Sequence, residues 1–411
     1  MSYAKSVFFI PVWFDNYPLF TQALAKNTLW KELEPDKYTP SYLLNYATSI
    51  AENKDLFQLF ALKDIHSLNV YMFEPELKLK TTPQIEQVRF SCFLTGVGFM
   101  EFWVNYEDLT PEEITDFAYL FKKAAKRCGR TLADNKRALY DVAASLLPEN
   151  VPSQMFFTAS APFKYECSFF HFLHLDEAPG DSVQAQDRLC RLSHSYNNSF
   201  SISMDNDSDM IYKPSENDHW SGSAEGIVNI TYDLNPQNAD YYLHTIKPSH
   251  LSVDYYFLYL LLLNQRFTAI EYIQIISLLY GKSQQEIERL NKRIIALKTV
   301  FSFNVISDDR IFQNVYSKMY QLLEIEHLLA DILDNEGQME LLQKASSAKA
   351  EKLSSHFLFG ISILSLFSAM IDASSYFDRI NYLQPISTIL GFACVCATVV
   401  LCVIWLIKGR K

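Results

Sequence analysis

The longest apolar pattern in the chain lies near its carboxyl end. Residues 380–407 contain no charged side chain over 28 positions, and an earlier run from Phe357 to Ile371 is also uncharged. A helix needs about 20 apolar residues to cross the hydrocarbon core of a bilayer. The pattern therefore predicts a transmembrane hairpin over residues 355–408, with a short turn between the two spans.

The charges that flank these runs predict the orientation of the hairpin. Three lysines, Lys344, Lys349 and Lys352, precede the first run, and the sequence Lys-Gly-Arg-Lys follows the second. The turn contains one basic residue, Arg379. Because basic residues accumulate on the cytoplasmic side, we expect both ends to be cytoplasmic in a multi-pass protein of the plasma or bacterial inner membrane.

Small and polar residues lie along one side of the first predicted span. At helical spacing, this side contains Ser355, Ser362, Ser365, Ala369 and Asp372. A polar stripe in a membrane helix faces protein or water instead of lipid. It predicts either a face for close helix packing or the lining of a pore in an oligomer, with Asp372 forming an acidic ring at the mouth.

Helical periodicity dominates the 251–354 region, which we interpret as a stalk. A strongly apolar stretch that begins near Asp254 predicts a buried helix that ends near Gly281. From Asp309 to Phe377 only Gly337 interrupts the helical pattern. We therefore expect one rod of roughly 65 residues, on the order of 100 Å long, that runs into the first span.

The first 250 residues have a different pattern, in which short apolar runs alternate with turns. The predicted strands include Ser6–Phe14, Ser67–Phe73, Val88–Thr95 and Gly98–Val104, and the runs at residues 165–176 and 226–233 read as further strands. The sequence Thr-Gly-Val-Gly at residues 95–98 predicts a hairpin between the last two strands. Thr110 and Pro111 predict the start of a helix, and residues 176–218 read as mainly loop. The predicted fold class is an α+β cytosolic domain (1–250), a long helical stalk (251–354) and two C-terminal transmembrane helices (355–408).

Composition narrows the possible functions. The net charge is −11, which disfavours DNA or RNA as a partner, and the seven cysteines form no Cys-x-x-Cys pair. The chain contains no P-loop, no Gly-x-Ser-x-Gly, no His-Glu-x-x-His and no dinucleotide fingerprint, so we expect no enzyme activity. His171 and His174 are three apart in a predicted strand, and we interpret both as packing residues because they point to opposite faces.

One basic segment stands out in this acidic chain. Residues 122–137 contain seven lysines and arginines in sixteen positions. Arg127, Arg130 and Arg137 could clamp the phosphates of a nucleotide. The alternative is the solvated end of a helix, where cations offset the helix dipole.

Two further positions are candidate ligand contacts. Trp220 lies in a compact polar turn and could stack on a nucleotide base, or it could pack on the core. Asp308 and Asp309 could bind a divalent cation, although helix capping accounts for them equally well.

The layout of a cytosolic domain, a helical stalk, two C-terminal spans and a basic tail resembles the CorA-like two-span metal-ion transporters. This resemblance implies a homopentameric funnel embedded in lipid, a first span that lines the pore, and magnesium as a permeant or regulatory ion. The family's Gly-Met-Asn tripeptide after the first span is missing here, where residues 372–381 read Asp-Ala-Ser-Ser-Tyr-Phe-Asp-Arg-Ile-Asn. Divergent relatives act as membrane effectors of type III CRISPR defence that open on binding a nucleotide second messenger.

Three functions follow as expectations. The first is an oligomeric membrane channel or transporter for cations, gated by a ligand of the cytosolic domain. The second is a nucleotide-activated membrane effector of antiviral defence. The third is a membrane-tethered scaffold without a pore.

Overall fold

The computed structural model describes residues 3–66, 68, 79–122, 139–155, 167–178, 180, 182–196, 211–234, 241–278 and 284–332. The chain divides into two units, Met1–Asn335 and Glu336–Lys411. The predicted transmembrane hairpin and its five pore-lining residues lie outside the described residues.

Ten strands form one mixed sheet. They are β1 (Tyr3–Phe14), β2 (Trp30–Glu32), β3 (Phe57–Leu62), β4 (Gln84–Phe93), β5 (Val97–Asn105), β6 (Ser153–Met155), β7 (Ser168–Leu175), β8 (Tyr212–Ser215), β9 (Asp218–Gly222) and β10 (Gly226–Tyr232). The order across the sheet is β2-β3-β4-β5-β1-β7-β10-β9-β8, and β6 also pairs with β1. Among these described strands β7 and β10 pair in parallel, whereas the other neighbours are antiparallel.

Helices cover the sheet and connect its strands. They are α1 (Tyr17–Lys26), α2 (Asn45–Glu52), α3 (Pro111–Lys122), α4 (Leu139–Leu146), α5 (Ser182–His194), α6 (Lys247–His250), α7 (Tyr256–Leu278), α8 (Gln284–Val300) and α9 (Arg310–Leu322). Two π-helices, Tyr242–Ile246 and Leu251–Tyr255, flank α6.

The central strand β1 is apolar on both sides because helices pack on both faces of the sheet. Phe8 contacts Phe117 and Phe121 of α3 on one face. Phe9, its neighbour, contacts Tyr256 and Tyr259 of α7 on the other face. Successive side chains of a strand point to opposite faces, so the core has two layers with the sheet between them.

The predicted hairpin between β4 and β5 is confirmed. Its turn needs Gly96, which has φ of 87°. Only glycine adopts this conformation without a steric penalty. A Cβ atom at Gly96 would also lie 2.7 Å from the carbonyl oxygen of Phe14.

The long helix α7 is strongly apolar in its first half and lies in the core. Residues 256–263 each have 1% exposure or less. Within the described ranges, no helix is both long enough and apolar enough to cross a bilayer.

The predicted fold class is wrong for the described part of the chain, which is a mixed sheet with helices on both faces and has no membrane-spanning helix. The helices assigned to a stalk belong to the layered core: α7 packs on β5, and Phe312 of α9 stacks on Tyr255 at 4.2 Å. Burial against the sheet explains why their sequences are apolar on so many positions.

The expected continuous rod from Asp309 is also wrong. The helix α9 ends at Leu322, and residues 325–332 form a new helical stretch after a turn in which Glu324 has φ of 56°. Leu323 and Ile325 are both fully buried. Residues two apart lie on nearly opposite sides of a straight helix, so the turn lets both side chains enter the core.

Two smaller expectations also need correction. Where the 176–218 region is described, it contains α5 and β8 and is not mainly loop. The strand β3 was not predicted, whereas most of the strand predicted at Ser67–Phe73 lies outside the described residues. The prediction missed β3 because its run, Phe-Gln-Leu-Phe-Ala-Leu, is short and lacks β-branched residues.

Candidate functional site

An unusual helical segment, residues 242–255, contributes the buried polar residues Lys247 and Asp254 and the half-buried His244. We call it the π-rich segment, since α6 is flanked in it by two π-helical turns. Pro248 has no N–H for the usual helical hydrogen bond, which favours an irregular backbone here. Single π turns are rare overall, but those that do occur often lie at functional sites. Three polar clusters lie along this segment.

The first cluster joins His174, Asp233 and His244. His174 is near the end of β7, and Asp233 directly follows the parallel strand β10, where its N–H donates to the Leu175 carbonyl at 2.8 Å. His244 reaches them from the π-rich segment. Its Nε2 lies 3.0 Å from Asp233 Oδ2, and His174 Nε2 lies 4.0 Å from the same oxygen. One ligand atom from each residue lies within 4.8 Å of the other two.

His174 is buried without a hydrogen-bond partner. Its ring has 0% exposure, and neither ring nitrogen makes a hydrogen bond of normal geometry. The rings of Tyr3 and His244 contact it at 5.1 and 4.7 Å between centroids. Asp176 Oδ1 lies 3.9 Å from its Nε2. Buried polar groups usually have partners, so His174 is an exception that requires an explanation.

Electrostatics keep the His174 ring neutral. Burial lowers its pKa, and the nearby His244 lowers it further, while Asp176, Asp233 and a backbone interaction with Leu243 partly oppose the shift. A neutral imidazole has a free lone pair, which metal coordination needs. Two imidazoles and a carboxylate form a donor set suited to Zn²⁺ and related transition metals.

The second cluster is a buried ion pair. Lys247 Nζ donates to Asp218 Oδ2 at 2.5 Å, and Asn229 donates to the other carboxylate oxygen at 2.6 Å. The lysine cation also lies 5.6 Å from the Trp220 ring and 5.8 Å from the Tyr255 ring. These charges have partners, so the cluster attaches the π-rich segment to β9 and β10.

The third cluster borders a polar cleft. His250 Nδ1 lies 2.8 Å from Asp254 Oδ2, and Asp254 Oδ1 accepts from the N–H groups of Ser41 and Tyr42 at 2.7 and 3.2 Å. The cleft has a volume of about 480 Å³, within the usual range for small-molecule sites. Its lining residues are Asp36, Lys37, Thr39, Ser41, Tyr42, Thr245, Ile246, Ser249, His250, Val253 and Asp254.

A separate histidine, His171, lies on the opposite face of β7. Its Nδ1 is 2.5 Å from Ser6 Oγ and its Nε2 is 3.3 Å from Ser195 Oγ. Burial, assisted by the Lys122 cation, lowers the pKa of His171 to about 3. All three side chains of this Ser-His-Ser group have 0% exposure, so a substrate has no access to either hydroxyl.

A buried carboxylate, Glu101, lies on β5. It accepts hydrogen bonds from the Tyr256 hydroxyl at 2.6 Å and from Trp103 Nε1 at 3.4 Å. Burial raises the pKa of Glu101, although Arg89 opposes the shift. Arg89 and Trp103 also line a second cleft of about 460 Å³. Since its hydrogen bonds come from core side chains, Glu101 holds α7 on the sheet.

The residues predicted from sequence fall into separate places. Trp220 is in β9, not in a turn, and is 3% exposed between Tyr255, Phe170 and Lys247. Its proposed stacking on a base stays a prediction and would require the ring to be uncovered. Asp309 caps α9 by accepting from the N–H groups of Ile311 and Phe312. Asp308 is exposed beside it, and cation binding by this pair stays a prediction.

The other predicted contacts lie outside the described residues. They are Arg127, Arg130, Arg137, Ser355, Ser362, Ser365, Ala369 and Asp372. At the start of the basic segment, Lys122 donates to the Glu225 carboxylate and to the His194 carbonyl.

Sequence reasoning missed the His174–Asp233–His244 cluster because its members are distant along the chain. One signal was available, since Asn229, Thr231 and Asp233 alternate with apolar residues along β10. Period-two polar positions on a buried strand predict polar partners on one face. The sequence did not indicate which residues those partners are.

Comparison with known proteins yields no relative: no family model, curated protein or solved structure matches this chain.

Proposed function

We propose that the chain is a membrane-anchored, ligand-controlled cation channel. Residues 355–408 would cross the bilayer twice and assemble around a hydrophilic lumen, and residues 1–335 would bind the controlling ligand. The observation that carries the proposal is the run of 28 uncharged residues from Ile380 to Ile407, which follows a second uncharged run. Burying such runs in lipid is the least costly outcome for them.

The polar stripe of the first run supports conduction over simple anchoring. Ser362, Ser365 and Asp372 lie on one side at helical spacing. Identical carboxylates from several subunits would sum their charge at the mouth and concentrate cations there. A tethered scaffold would need no such arrangement.

The polar cleft beside the third cluster supports ligand control. Its volume of about 480 Å³ suits a small polar molecule. The cleft is bordered by the loop around Ser41 and by the π-rich segment, which continues directly into α7. A ligand that binds one arrangement of this segment better than another would shift the balance between them.

A nucleotide is the second candidate for the controlling ligand, because residues 122–137 are strongly basic. Arginine side chains bind phosphate in a bidentate manner. The variant R127A/R130A should then lose nucleotide activation while keeping any activation by magnesium.

The experiment is a conductance measurement on the full-length protein in planar bilayers. Cation current is expected, with magnesium or a nucleotide changing its open probability. The D372N variant should reduce cation selectivity, because it removes the proposed acidic ring. S374A is the matched control, since Ser374 is off the stripe and its change should leave the current unaltered.

Two outcomes would overturn the proposal. A protein that is extracted from membranes by alkaline carbonate has no membrane span. A protein that stays in the membrane but carries no current with any ligand would be a tethered scaffold.

A further inference from the structure

We propose that His174, Asp233 and His244 form a binding site for one Zn²⁺ ion. This inference does not depend on the proposed channel function, because all three residues belong to the sheet-bearing unit. It rests on the geometry of the cluster and on a fully buried imidazole that makes no hydrogen bond of normal geometry.

The distances between the donor atoms fit a small tetrahedral ion. Bonds of 2.0–2.1 Å place tetrahedral ligand atoms roughly 3.3 Å apart. His244 Nε2 and His174 Nε2 lie 3.0 and 4.0 Å from Asp233 Oδ2, and each donor is within 4.8 Å of the others. Small side-chain rotations would equalise these separations.

The second, independent observation is the burial of the polar His174 ring. The ring has 0% exposure, and neither nitrogen makes a hydrogen bond of normal geometry, since the Leu243 backbone approaches it without reaching that geometry. A polar group buried without a partner is costly. The His171 ring, three residues earlier on the same strand, has a hydroxyl partner at both nitrogens. A metal ion at His174 Nε2 would supply the missing interaction on the other face.

The donor types select the metal. Two imidazole nitrogens with one carboxylate suit zinc and its neighbours, whereas Mg²⁺ and Ca²⁺ prefer oxygen ligands. The fourth position could be taken by water or by Asp176, whose Oδ1 is 3.9 Å from His174 Nε2. The side chains of Asp176 and His244 are 37% and 29% exposed, which leaves an entry path for the ion.

A bound ion would link three elements that are far apart along the chain. His174 belongs to β7, Asp233 follows β10, and His244 is in the π-rich segment. The ion would fix the start of this segment to the parallel edge of β7 and β10. Because the unfolded chain lacks this site, its binding energy would stabilise the fold.

The test uses the full-length protein in detergent, stripped of metal and titrated with ZnCl₂ alone. Isothermal titration should show one high-affinity equivalent, and thermal unfolding should shift upward by a few degrees at a hundredfold excess over the dissociation constant. H244Q should weaken zinc binding at least about 100-fold, since even outer-shell changes cost about 10–100-fold.

H66Q is the matched control, because His66 is an exposed histidine outside the cluster and its loss should leave zinc binding unchanged. D233N gives a second test of the cluster and should also weaken binding. If either variant fails to fold, cobalt absorption of the wild-type protein decides: a four-coordinate spectrum supports the site.

The proposal is overturned if the wild-type protein binds no zinc, if H244Q binds it as tightly as wild type, or if the cobalt spectrum is that of a hydrated ion.

Discussion

His171 and His174 lie three residues apart on β7, and both have fully buried rings. His171 has a serine hydroxyl at each ring nitrogen, on the face covered by α3. His174, on the opposite face, has none, but it has a carboxylate and a second imidazole nearby. Burial is the same for the two residues, and what differs is whether their polar atoms are satisfied.

This difference separates a structural histidine from a candidate ligand. A buried imidazole with two partners stabilises the fold and has no lone pair to offer. A buried imidazole without partners costs stability unless something absent from the protein chain binds it. Substitutions on the two faces of β7 test this difference between the two histidines.

The largest effect is expected from K247M, which removes a paired charge near the His174–Asp233–His244 cluster. Asp218 would then be a buried carboxylate without its cation, which costs about 3–5 kcal/mol of unfolding free energy. Urea unfolding of the full-length protein measures the loss. The pair D218N/K247M should recover part of it, and no recovery would mean that Lys247 acts through packing alone.

H171F is expected to cost about 2–4 kcal/mol. The hydroxyls of Ser6 and Ser195 would each lose a buried partner, at about 1–3 kcal/mol for such a group. The same urea experiment applies. A loss below about 1 kcal/mol would show that these hydrogen bonds contribute nothing net, and the contrast with His174 would disappear.

The pH dependence should follow His171. Its pKa falls from the usual 6.5 to about 3 in the folded state. Its contribution is therefore complete above pH 6.5 and is lost as the pH falls toward 3, by about 1.4 kcal/mol for each pH unit. Between pH 6.5 and 5 the wild-type protein should lose about 2 kcal/mol more than H171F, which lacks the group. Equal slopes would contradict the neutral, buried assignment.

The smallest effect is expected from H174F without metal. Since His174 makes no hydrogen bond of normal geometry, an aromatic ring of similar shape should change unfolding free energy by less than about 1 kcal/mol in EDTA. In zinc the variant should lack the stabilisation that wild type gains. A large loss in EDTA would mean that His174 already has partners that stabilise it.

Sequence patterning predicted some local elements well. The β4–β5 hairpin follows from Gly96, and α3 begins with a capping box in which Thr110 and Glu113 exchange hydrogen bonds. These features depend on residues close along the chain. The packing of α7 on the sheet was not predicted, because an apolar helix reads the same whether it lies in a stalk or in a core.

The candidate site was also beyond sequence reasoning. His171 and His174 were both interpreted as packing residues on opposite faces, and both are buried, but the sequence did not distinguish their surroundings. The difference arises from Asp233 and His244, which lie about 60 and 70 residues further along the chain and reach His174 through the parallel pairing of β7 and β10. Likewise, the turn at Glu324 reflects the burial of its two neighbours, and no residue type in the sequence marks it.

Zinc X-ray absorption on the full-length wild-type protein shows directly whether His174 is a zinc ligand. We expect one tightly bound ion with two imidazoles and a carboxylate at about 2.0–2.1 Å, and one imidazole fewer in H174F. Bound zinc with an identical spectrum in the two proteins, or no bound zinc at all, would contradict it.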